Sequence, residues 1–583
     1  MPGFLVSNIK SNYILKNIDD TLHYDEINNE KFVIQRLVTT KFLDDKVFFN
    51  DDENVVITEG VVLNKKQILE KTNFKIFSHA LKKEWEENGT ICHLLRAGWS
   101  SAIYDKKKNK WEIATNPFGD KTIFYYYDNN NKKFVVASSV RYIKEFLKHS
   151  GANLTLCKTS AYDLLTFGYN ASDKGENTIL SEVKKLPPGY MLTIQDEQLV
   201  VTQYHRFSFA SENDDEKQCN KWVEELDDKY VNAVRNEYDK DEEYGYGHLC
   251  ALSGGLDSRM NVWVANHLGY ENILTETFCQ SGTDDQKIAN EIASDLHLEW
   301  IFKSLDDGKF LKTIEEAVIS TDGLIEVSGI IHEDSLMQYI NFDKFGILHT
   351  GQIGDAVLGG SLIGEKIEYY SKAYSTLLFD KYIPNIYEGY ICQEEFLLYT
   401  RGLNGAIIPQ ILQSNYCEPV SPFMDLDFAE TCFKIPVELR KKHKIYKKWI
   451  LKKYSSAAKY NWEKTGVKID SGKFYEILVK IRRLGFHNTL RSIMKKMGWK
   501  VSLKVSANNM NPYDYWYENN PELRTYLDND FLVNIQYLKE RSVFEGELST
   551  LGEDICRLYY DGTCREKVQA LSVVYIIKHF IIS

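Results

Sequence analysis

One short run of small polar residues carries the strongest chemical signal in this 583-residue sequence: Ser253–Ser258, which reads SGGLDS. It follows a predicted buried strand, Leu249–Leu252, and opens a predicted helix. Glycines let the backbone turn tightly and approach a ligand, while free amides at a helix start attract anions. The serine hydroxyls add donors, and Asp257 can hold Mg²⁺. The run therefore predicts a pyrophosphate site, although a turn that binds nothing is the alternative.

A different phosphate chemistry is disfavoured. No GxxxxGK[ST] pattern occurs in the chain, so transfer of a γ-phosphoryl group is the weaker interpretation. The run instead resembles the pyrophosphate loop of asparagine synthetases, β-lactam synthetases, argininosuccinate synthetases and tRNA-lysidine synthetases. The resemblance implies that ATP is split between its α and β phosphates.

A second segment, Thr350–Gly360 (TGQIGDAVLGG), is similar to the second signature of asparagine synthetases, where Ser-Gly-Glu-Gly-Ser-Asp-Glu is followed by Gly-Gly. Asp355 matches the aspartate that binds Mg²⁺ and pyrophosphate together with the loop aspartate. Gln352 and Ala356 replace glutamates of the pattern, which puts the accepted substrate in doubt. The resemblance implies a nucleotide site formed by Leu252, Ser253, Gly254, Gly255, Asp257, Ser258, Gly351 and Asp355, with Asp257 and Asp355 as metal ligands and catalytic groups.

Two later segments extend the resemblance. Glu418–Asp425 (EPVSPFMD) is similar to the family's Glu-x-Arg-x-Pro-Phe-Leu-Asp, with Val420 in place of arginine. Lys464 begins a KTGV segment where the family has Lys-x-Gly-Phe, which implies a catalytic lysine that stabilises charge on the adenylate. A solvated surface lysine is the alternative, and Lys468 lies close by. Thr283–Asp285 matches an acidic pair that lies near the metal or caps a helix.

The amino-terminal part resembles class II glutamine amidotransferases. The matching segments are Met1–Leu5 (MPGFL), Asn116–Tyr126, Val136–Ser139 (VASS) and Leu186–Gly189 (LPPG). Together with the segments above, they cover roughly residues 1–470 in the family's order.

The residues that the glutaminase reaction needs are missing from these segments. That reaction uses an amino-terminal cysteine as nucleophile, and the sequence has Pro2 at this position. The family's Asn-Gly-Glu stretch reads Glu59-Gly60-Val61, and a carboxylate does not donate to an oxyanion at neutral pH. The domain is therefore predicted to be structural, as in β-lactam synthetases.

Hydrophobic patterning defines the elements that must position these groups. Short apolar runs between polar turns predict a strand-rich domain over residues 1–206, and Ser211–Lys217 is a predicted linker. From about residue 245, strands alternate with helices, which predicts a parallel sheet covered by helices. We therefore expect an α/β protein. The resemblance implies an Ntn-type αββα sandwich (1–206) before a doubly wound, parallel PP-loop domain (218–470), and we expect a helical extension (471–583) to pack on the second domain.

The patterns within these domains predict individual elements. The predicted strands are Val55–Ile57, Trp111–Ala114, Phe134–Ala137 and Leu274–Phe278; the predicted helices are Met260–Leu268, Gln286–Leu296 and one whose face carries Trp222, Leu226, Tyr230 and Val234.

Charge and cysteine usage narrow the class of protein. The net charge of −12 argues against a nucleic-acid partner. We expect no signal peptide, and Leu571–Ile582 is too short to span a membrane. Ten scattered cysteines without a CxxC pair favour reduced thiols in a cytoplasmic protein.

The leading functional interpretation is an AMP-forming, asparagine synthetase-like amide ligase that uses ATP and Mg²⁺. It would activate a small carboxylate, with aspartate as one candidate, for attack by ammonia or an amine; a separate glutaminase as ammonia source and a homodimer are compatible with it. The alternatives are tRNA modification through the same loop and a non-catalytic scaffold or regulatory subunit derived from a synthetase.

Overall fold

The protein is described by a computed structural model. It covers residues 2–15, 22–210, 219–369, 375, 377–379, 386–472, 474, 475, 477, 479 and 506–582. The predicted linker Ser211–Lys217 lies outside these residues, as does part of the predicted extension.

Twelve strands of the amino-terminal part form two antiparallel, six-stranded sheets. Their orders are β10-β8-β9-β1-β3-β2 and β12-β11-β7-β6-β5-β4. Alternating apolar side chains from both sheets, including Val6, Val55, Tyr104 and Val136, meet in a common core. The strands are β1 (Gly3–Ser7), β2 (His23–Asn28), β3 (Val33–Val38), β4 (Phe48–Asn50), β5 (Asn54–Gly60), β6 (Trp99–Asp105), β7 (Lys110–Thr115), β8 (Phe124–Asp128), β9 (Lys133–Ala137), β10 (Lys184–Lys185), β11 (Tyr190–Gln195) and β12 (Gln198–Gln203).

Helices cover the outer face of each sheet. Helices α1 (Lys65–Thr72) and α2 (Phe77–Asn88) pack on the sheet that contains β5 to β7. Helices α3 (Val140–His149) and α4 (Lys158–Phe167) pack on the sheet that contains β1 and β9. The four layers are an αββα sandwich, which confirms the predicted fold of this part.

The second part is built on a five-stranded, entirely parallel sheet of order β15-β14-β13-β16-β17. Because the chain reverses its direction of winding between β13 and β16, the sheet is doubly wound, as predicted, and a switch point lies between these two strands. The strands are β13 (Gly247–Ala251), β14 (Ile273–Cys279), β15 (Glu299–Ser304), β16 (Phe345–His349) and β17 (Glu418–Val420).

Helices surround this sheet. The predicted four-residue periodicity falls on α5, where Leu226, Tyr230 and Val234 are buried and Trp222 is half-buried. The helices are α5 (Cys219–Tyr244), α6 (Leu256–His267), α7 (Asp284–Asp295), α8 (Ile314–Ser320), α9 (Ile331–Met337), α10 (Gly354–Val357), α11 (Gln393–Leu397), α12 (Gln410–Gln413), α13 (Leu426–Lys434), α14 (Val437–Arg440) and α15 (Lys444–Lys453).

Among the described residues from 506 to 582, four α-helices follow: α16 (Tyr513–Asn519), α17 (Pro521–Glu540), α18 (Ser549–Asp561) and α19 (Cys564–Ile577). Helix α19 is buried between α8 of the second part and α4 of the first, where Gln569 donates a hydrogen bond to the carbonyl of Leu164 (2.8 Å). These helices therefore contact both parts and not only the second. Within the described residues, the structure contains no helix with the length and apolar character needed to cross a membrane.

Candidate active site

Two loops meet at the switch point of the parallel sheet. One follows β13 and leads into α6, and the other follows β16 and leads into α10. Their contact requires glycine: an alanine Cβ at Gly351 would lie 2.4 Å from the amide nitrogen of Ser258, and one at Gly354 would lie 2.5 Å from Cγ of Asp257. Ligands of doubly wound sheets bind at the carboxyl ends of the strands that flank the switch point. The predicted loop and the second signature therefore share one site.

The Ser253–Ser258 loop is held by its own side chains. The hydroxyl of Ser258 accepts a hydrogen bond from the amide of Ser253 (3.0 Å), and the hydroxyl of Ser253 accepts one from the amide of Gly255 (3.1 Å). The amide of Gly254 donates to Asp285 (3.2 Å). The expected free amides are thus already engaged. An anion would replace these acceptors, two of which are hydroxyls that can rotate to become donors.

Asp257 links the two loops. Its Oδ2 accepts a hydrogen bond from the amide of Asp355 (2.9 Å), and its Oδ1 accepts one from the hydroxyl of Tyr446 (2.8 Å). Burial, and then the charge of Asp355, raise the pKa of Asp257 well above its ordinary value. A cation between the two carboxylates would reverse both effects. Their oxygen donors suit Mg²⁺, so the donor set fits the metal that the resemblance implies.

A cavity of about 300 Å³ opens beside this pair. Ser253, Asp257, Ser258 and Gly351 line its loop side, and Phe278 and Met510 contribute apolar surface. Met510 is held in place because its carbonyl accepts a hydrogen bond from the amide of Gln280 (2.9 Å). The carboxyl-terminal part of the chain therefore completes the cavity, which no sequence pattern indicated.

Leu252 contributes through its backbone. Its amide donates to the carbonyl of Glu276 (2.8 Å), and its carbonyl accepts from the hydroxyl of Thr277 (2.7 Å). These bonds fix the start of the loop against β14. Glu276 itself, Glu333 and Gln413 also line the cavity, and sequence reasoning did not identify them.

Lys464 lies on a turn that touches the loop. The neighbouring amide of Glu463 donates to the carbonyl of Gly254 (3.3 Å), and Gly466 closes the turn with a φ of 76°. The Lys464 side chain is exposed, with its ammonium 5.4 Å from the ring centre of Trp462. The structure therefore brings this segment to the loop, whereas the lysine is not among the described residues that line the cavity.

Three further residues support the loop. Tyr446 on α15 holds Asp257, Asp285 at the start of α7 accepts from Gly254, and the buried guanidinium of Arg259 donates to the carbonyls of Gly254 (3.0 Å) and Asn461 (2.6 Å). The segment Thr283–Asp285 lies at the start of α7, where Thr283 is the N-cap residue without a side-chain capping hydrogen bond and Asp285 lines the cavity; proximity to a metal stays a prediction. Arg259 directly follows the SGGLDS run, and this position was the one sequence feature that could have indicated its role. No sequence feature indicated a role for Tyr446.

A buried polar cluster lies elsewhere in the same part. Asp241, His248 and His349 hold ligand-type atoms close together. Both ring nitrogens of His349 are engaged, by Asp241 (2.9 Å) and Glu237 (3.2 Å). Burial lowers the pKa of His349, but these two acids outweigh it and raise that pKa above its ordinary value. The cluster ties α5 to β13 and β16 as a hydrogen-bonded charge network.

The region that corresponds to a glutaminase site is nearly filled. Pro2, Glu59 and Lys121 surround a cavity of about 20 Å³, room for about one water molecule. Glu418 of β17 reaches into this region, with its carboxylate 2.6 Å from Nζ of Lys121 and 2.8 Å from Nζ of Lys46. Glu59 is 3% exposed, and neither of its oxygens accepts a hydrogen bond from a described residue.

Comparison with known proteins gives two family matches. A family described as a glutamine amidotransferase domain matches residues 46–205, and one described as asparagine synthase matches residues 225–384. A relative from Methanocaldococcus jannaschii named "Putative asparagine synthetase [glutamine-hydrolyzing] 1" is 21% identical over 409 residues. The match covers 67% of this chain and 66% of the relative, just under two thirds of its length.

Similarity to solved structures is weaker. A glutamine phosphoribosylpyrophosphate amidotransferase from B. subtilis is 11% identical with a TM-score of 0.22, over 47% of this chain and 77% of that one. A glutamine aminotransferase class-II domain protein from Silicibacter pomeroyi is 14% identical with a TM-score of 0.16, over 35% of this chain and 92% of that one.

Proposed function

Because the chain has the domain architecture of the asparagine synthetase family, we propose that it is an AMP-forming amide ligase. A substrate carboxylate attacks the α-phosphorus of ATP, the bond to the bridging oxygen breaks, and pyrophosphate leaves. Ammonia or an amine then attacks the carbonyl carbon of the acyl-adenylate. The amide forms, AMP leaves, and the nitrogen loses a proton.

The observation that carries this proposal is the pairing of Asp257 with Asp355 across the two loops. Mg²⁺ held by these carboxylates would neutralise charge on the departing pyrophosphate. The hydroxyls of Ser253 and Ser258 lie 3.0 Å apart beside the start of α6, where they can donate to phosphate oxygens. Tyr446 holds Asp257 in the orientation that the pairing requires.

Lys464 is the proposed electrostatic group for the second step. Its turn is fixed to the loop through Glu463, and its exposed side chain is free to swing from the ring of Trp462 toward the cavity. A positive charge there would stabilise the tetrahedral species that forms when nitrogen attacks the adenylate.

The amino-terminal domain is proposed to be an inactive glutaminase. Pro2 lacks a thiol, Glu59 is a carboxylate where the family has an amide donor, and ion pairs from Lys46 and Lys121 to Glu418 fill the region. Ammonia from solution, ammonia from a separate glutaminase, or an amine then supplies the nitrogen. Aspartate is the first carboxylate to try.

The nucleotide product tests this proposal. Chromatography of a reaction with ATP, Mg²⁺, a library of carboxylates and ammonium chloride should show AMP and pyrophosphate in equal amounts. ADP and orthophosphate would show that the reaction class is wrong. If MgATP does not bind at all, the chain is a non-catalytic scaffold or regulatory subunit.

A further inference from the structure

One wall of the cavity beside Asp257 carries buried hydrogen-bond acceptors that have no donor among the described residues. Glu276 lies in β14 and is 1% exposed. Neither of its carboxylate oxygens has a hydrogen-bond partner among the described residues. Gln413 on α12 is 5% exposed, and its Oε1 is equally without a donor among the described residues. Glu333 on α9 lies beside Glu276, and all three line the cavity.

The charge of this wall is not balanced by the described protein. No lysine or arginine among the described residues forms an ion pair with Glu276 or Glu333. Burial raises the pKa of both carboxyls, and the charge of Glu333 raises that of Glu276 further. Buried carboxylates are costly unless a donor or a cation meets them. A ligand that supplies both would remove that cost.

We propose that Glu276, Glu333 and Gln413 bind a positively charged amino group of the substrate that reacts at this site. An ammonium group carries one charge and three N–H donors and accepts nothing, so it complements the carboxylate oxygens of Glu276 and the amide oxygen of Gln413, which have no donor among the described residues. The inference rests on the proposed function and adds the substrate class. The amino group belongs either to the carboxylate that is activated or to the amine that attacks it.

A second buried carboxylate in the protein provides a contrast. Glu59 also accepts no hydrogen bond from a described residue, but Lys46 and Lys121 lie close enough to act on its charge. No described lysine or arginine is among the groups that influence the charge of Glu276. Glu59→Gln therefore replaces another buried carboxylate that accepts no hydrogen bond from a described residue, at a position outside the cavity beside Asp257. It is the matched control for Glu276→Gln.

Binding of a simple ammonium ion tests the site without turnover. Thermal unfolding of the full chain is measured in propylammonium chloride, in sodium chloride of equal concentration, and in sodium chloride with n-propanol. Near saturation we expect propylammonium to raise Tm by about 2 °C over both references, in the wild type and in Glu59→Gln. The shift should be absent in Glu276→Gln and in Gln413→Leu, a second variant that keeps the acid pair. Equal Tm in all three solutions, or an unchanged shift in both cavity variants, would overturn the proposal.

Turnover identifies which substrate carries the amino group. In one arm, AMP release is compared for 5-aminopentanoate and pentanoate, which differ only in the amino group, with ammonia as acceptor. In the other, it is compared for putrescine and butylamine with aspartate as the carboxylate. We expect at least about a tenfold preference for the member with the additional amino group in one arm, lost in Glu276→Gln. Equal rates within both pairs would overturn the inference. An intact propylammonium shift with no AMP from any substrate would overturn the proposed function and leave the ammonium site standing.

Discussion

The carboxylate of Asp257 accepts a hydrogen bond from the backbone amide of Asp355 at 2.9 Å, although 98 positions separate the two residues in sequence. This bond joins the loop after β13 to the loop after β16 at the switch point of the sheet. It orients Asp257 while leaving the side chain of Asp355 available as a ligand. The proposed metal and pyrophosphate chemistry depends on this arrangement.

Tyr446→Phe should slow the adenylation step without unfolding the protein. The substitution removes the hydroxyl that donates to Asp257 at 2.8 Å and keeps the buried ring. Because a hydrogen bond to a charged group contributes about 1.5–3 kcal/mol, kcat/KM for ATP–pyrophosphate exchange should fall by at least about tenfold. Tyr460→Phe, which removes a hydroxyl bound to Asp295, is the control and should retain the wild-type rate. Equal rates for both variants would show that Asp257 needs no such support.

Gly351→Ala should weaken nucleotide binding by forcing the two loops apart. The added Cβ would lie 2.4 Å from the amide nitrogen of Ser258 and 2.7 Å from the carbonyl carbon of Asp257, both backbone atoms. We expect the Kd of MgATP, measured by calorimetry, to rise by about tenfold or more. Gly472→Ala, whose Cβ would meet no atom within 4 Å, should bind MgATP normally. A normal Kd for Gly351→Ala would contradict the close contact between the loops.

Local patterns predicted the elements of the site better than its walls. The strand–loop–helix unit around Ser253–Ser258 is encoded within about twenty consecutive residues, so glycines, a buried strand and helix periodicity sufficed to find it. Tyr446 contacts Asp257 from 189 positions away, and Met510 enters the cavity from the carboxyl-terminal part. Such contacts depend on the packing of elements that are distant in sequence, which no local pattern records.

The same limit explains the remaining differences between expectation and structure. The loop amides were expected to be free, but the hydroxyls of Ser253 and Ser258 and the carboxylate of Asp285 accept from them. In the sequence, Glu276 is one residue of a predicted strand; in the structure, β14 positions it in the cavity beside Glu333. A side chain's partners are set by the tertiary structure, whereas its residue type only limits what those partners can be.

Lys185→Met should stabilise the protein in a pH-dependent way. Lys185 is 4% exposed and donates to Asn404 (2.6 Å), and burial lowers its pKa to about 7. Between pH 7 and the ordinary lysine pKa, the unfolded chain binds the extra proton, so wild-type stability rises with pH across that range. Below pH 7 both states are protonated and the wild type bears the full cost of the buried charge.

The measurement for this variant is denaturant unfolding at several pH values. At pH 6, Lys185→Met should exceed the wild type by about 2 kcal/mol, after allowance for the lost hydrogen bond to Asn404. The gain should shrink steadily from pH 7 to pH 10. A difference that does not change with pH would show that Lys185 keeps its ordinary pKa in the folded protein.

Glutamine should not serve as a nitrogen donor. We expect no release of glutamate by the wild type in a coupled dehydrogenase assay, under conditions where ammonium chloride or an amine supports AMP formation. Pro2→Cys alone should not restore hydrolysis, because Glu59 cannot donate to an oxyanion and the pairs of Lys46 and Lys121 with Glu418 remain. Glutamate release by the wild type at the rate of AMP formation would contradict the proposed loss of glutaminase activity.

The central claim is that Asp257 and Asp355 together promote cleavage of ATP to an acyl-adenylate, and ATP–pyrophosphate exchange tests it most directly. Labelled pyrophosphate is incubated with the full chain, ATP, Mg²⁺ and a library of carboxylates that begins with aspartate and includes ornithine. We predict exchange that depends on one class of carboxylate, with a loss of about 100-fold or more in Asp257→Ala and in Asp355→Ala. The claim would be contradicted by exchange that persists in both variants. It would also be contradicted if no carboxylate supported exchange and the wild-type chain failed to bind MgATP at millimolar Mg²⁺.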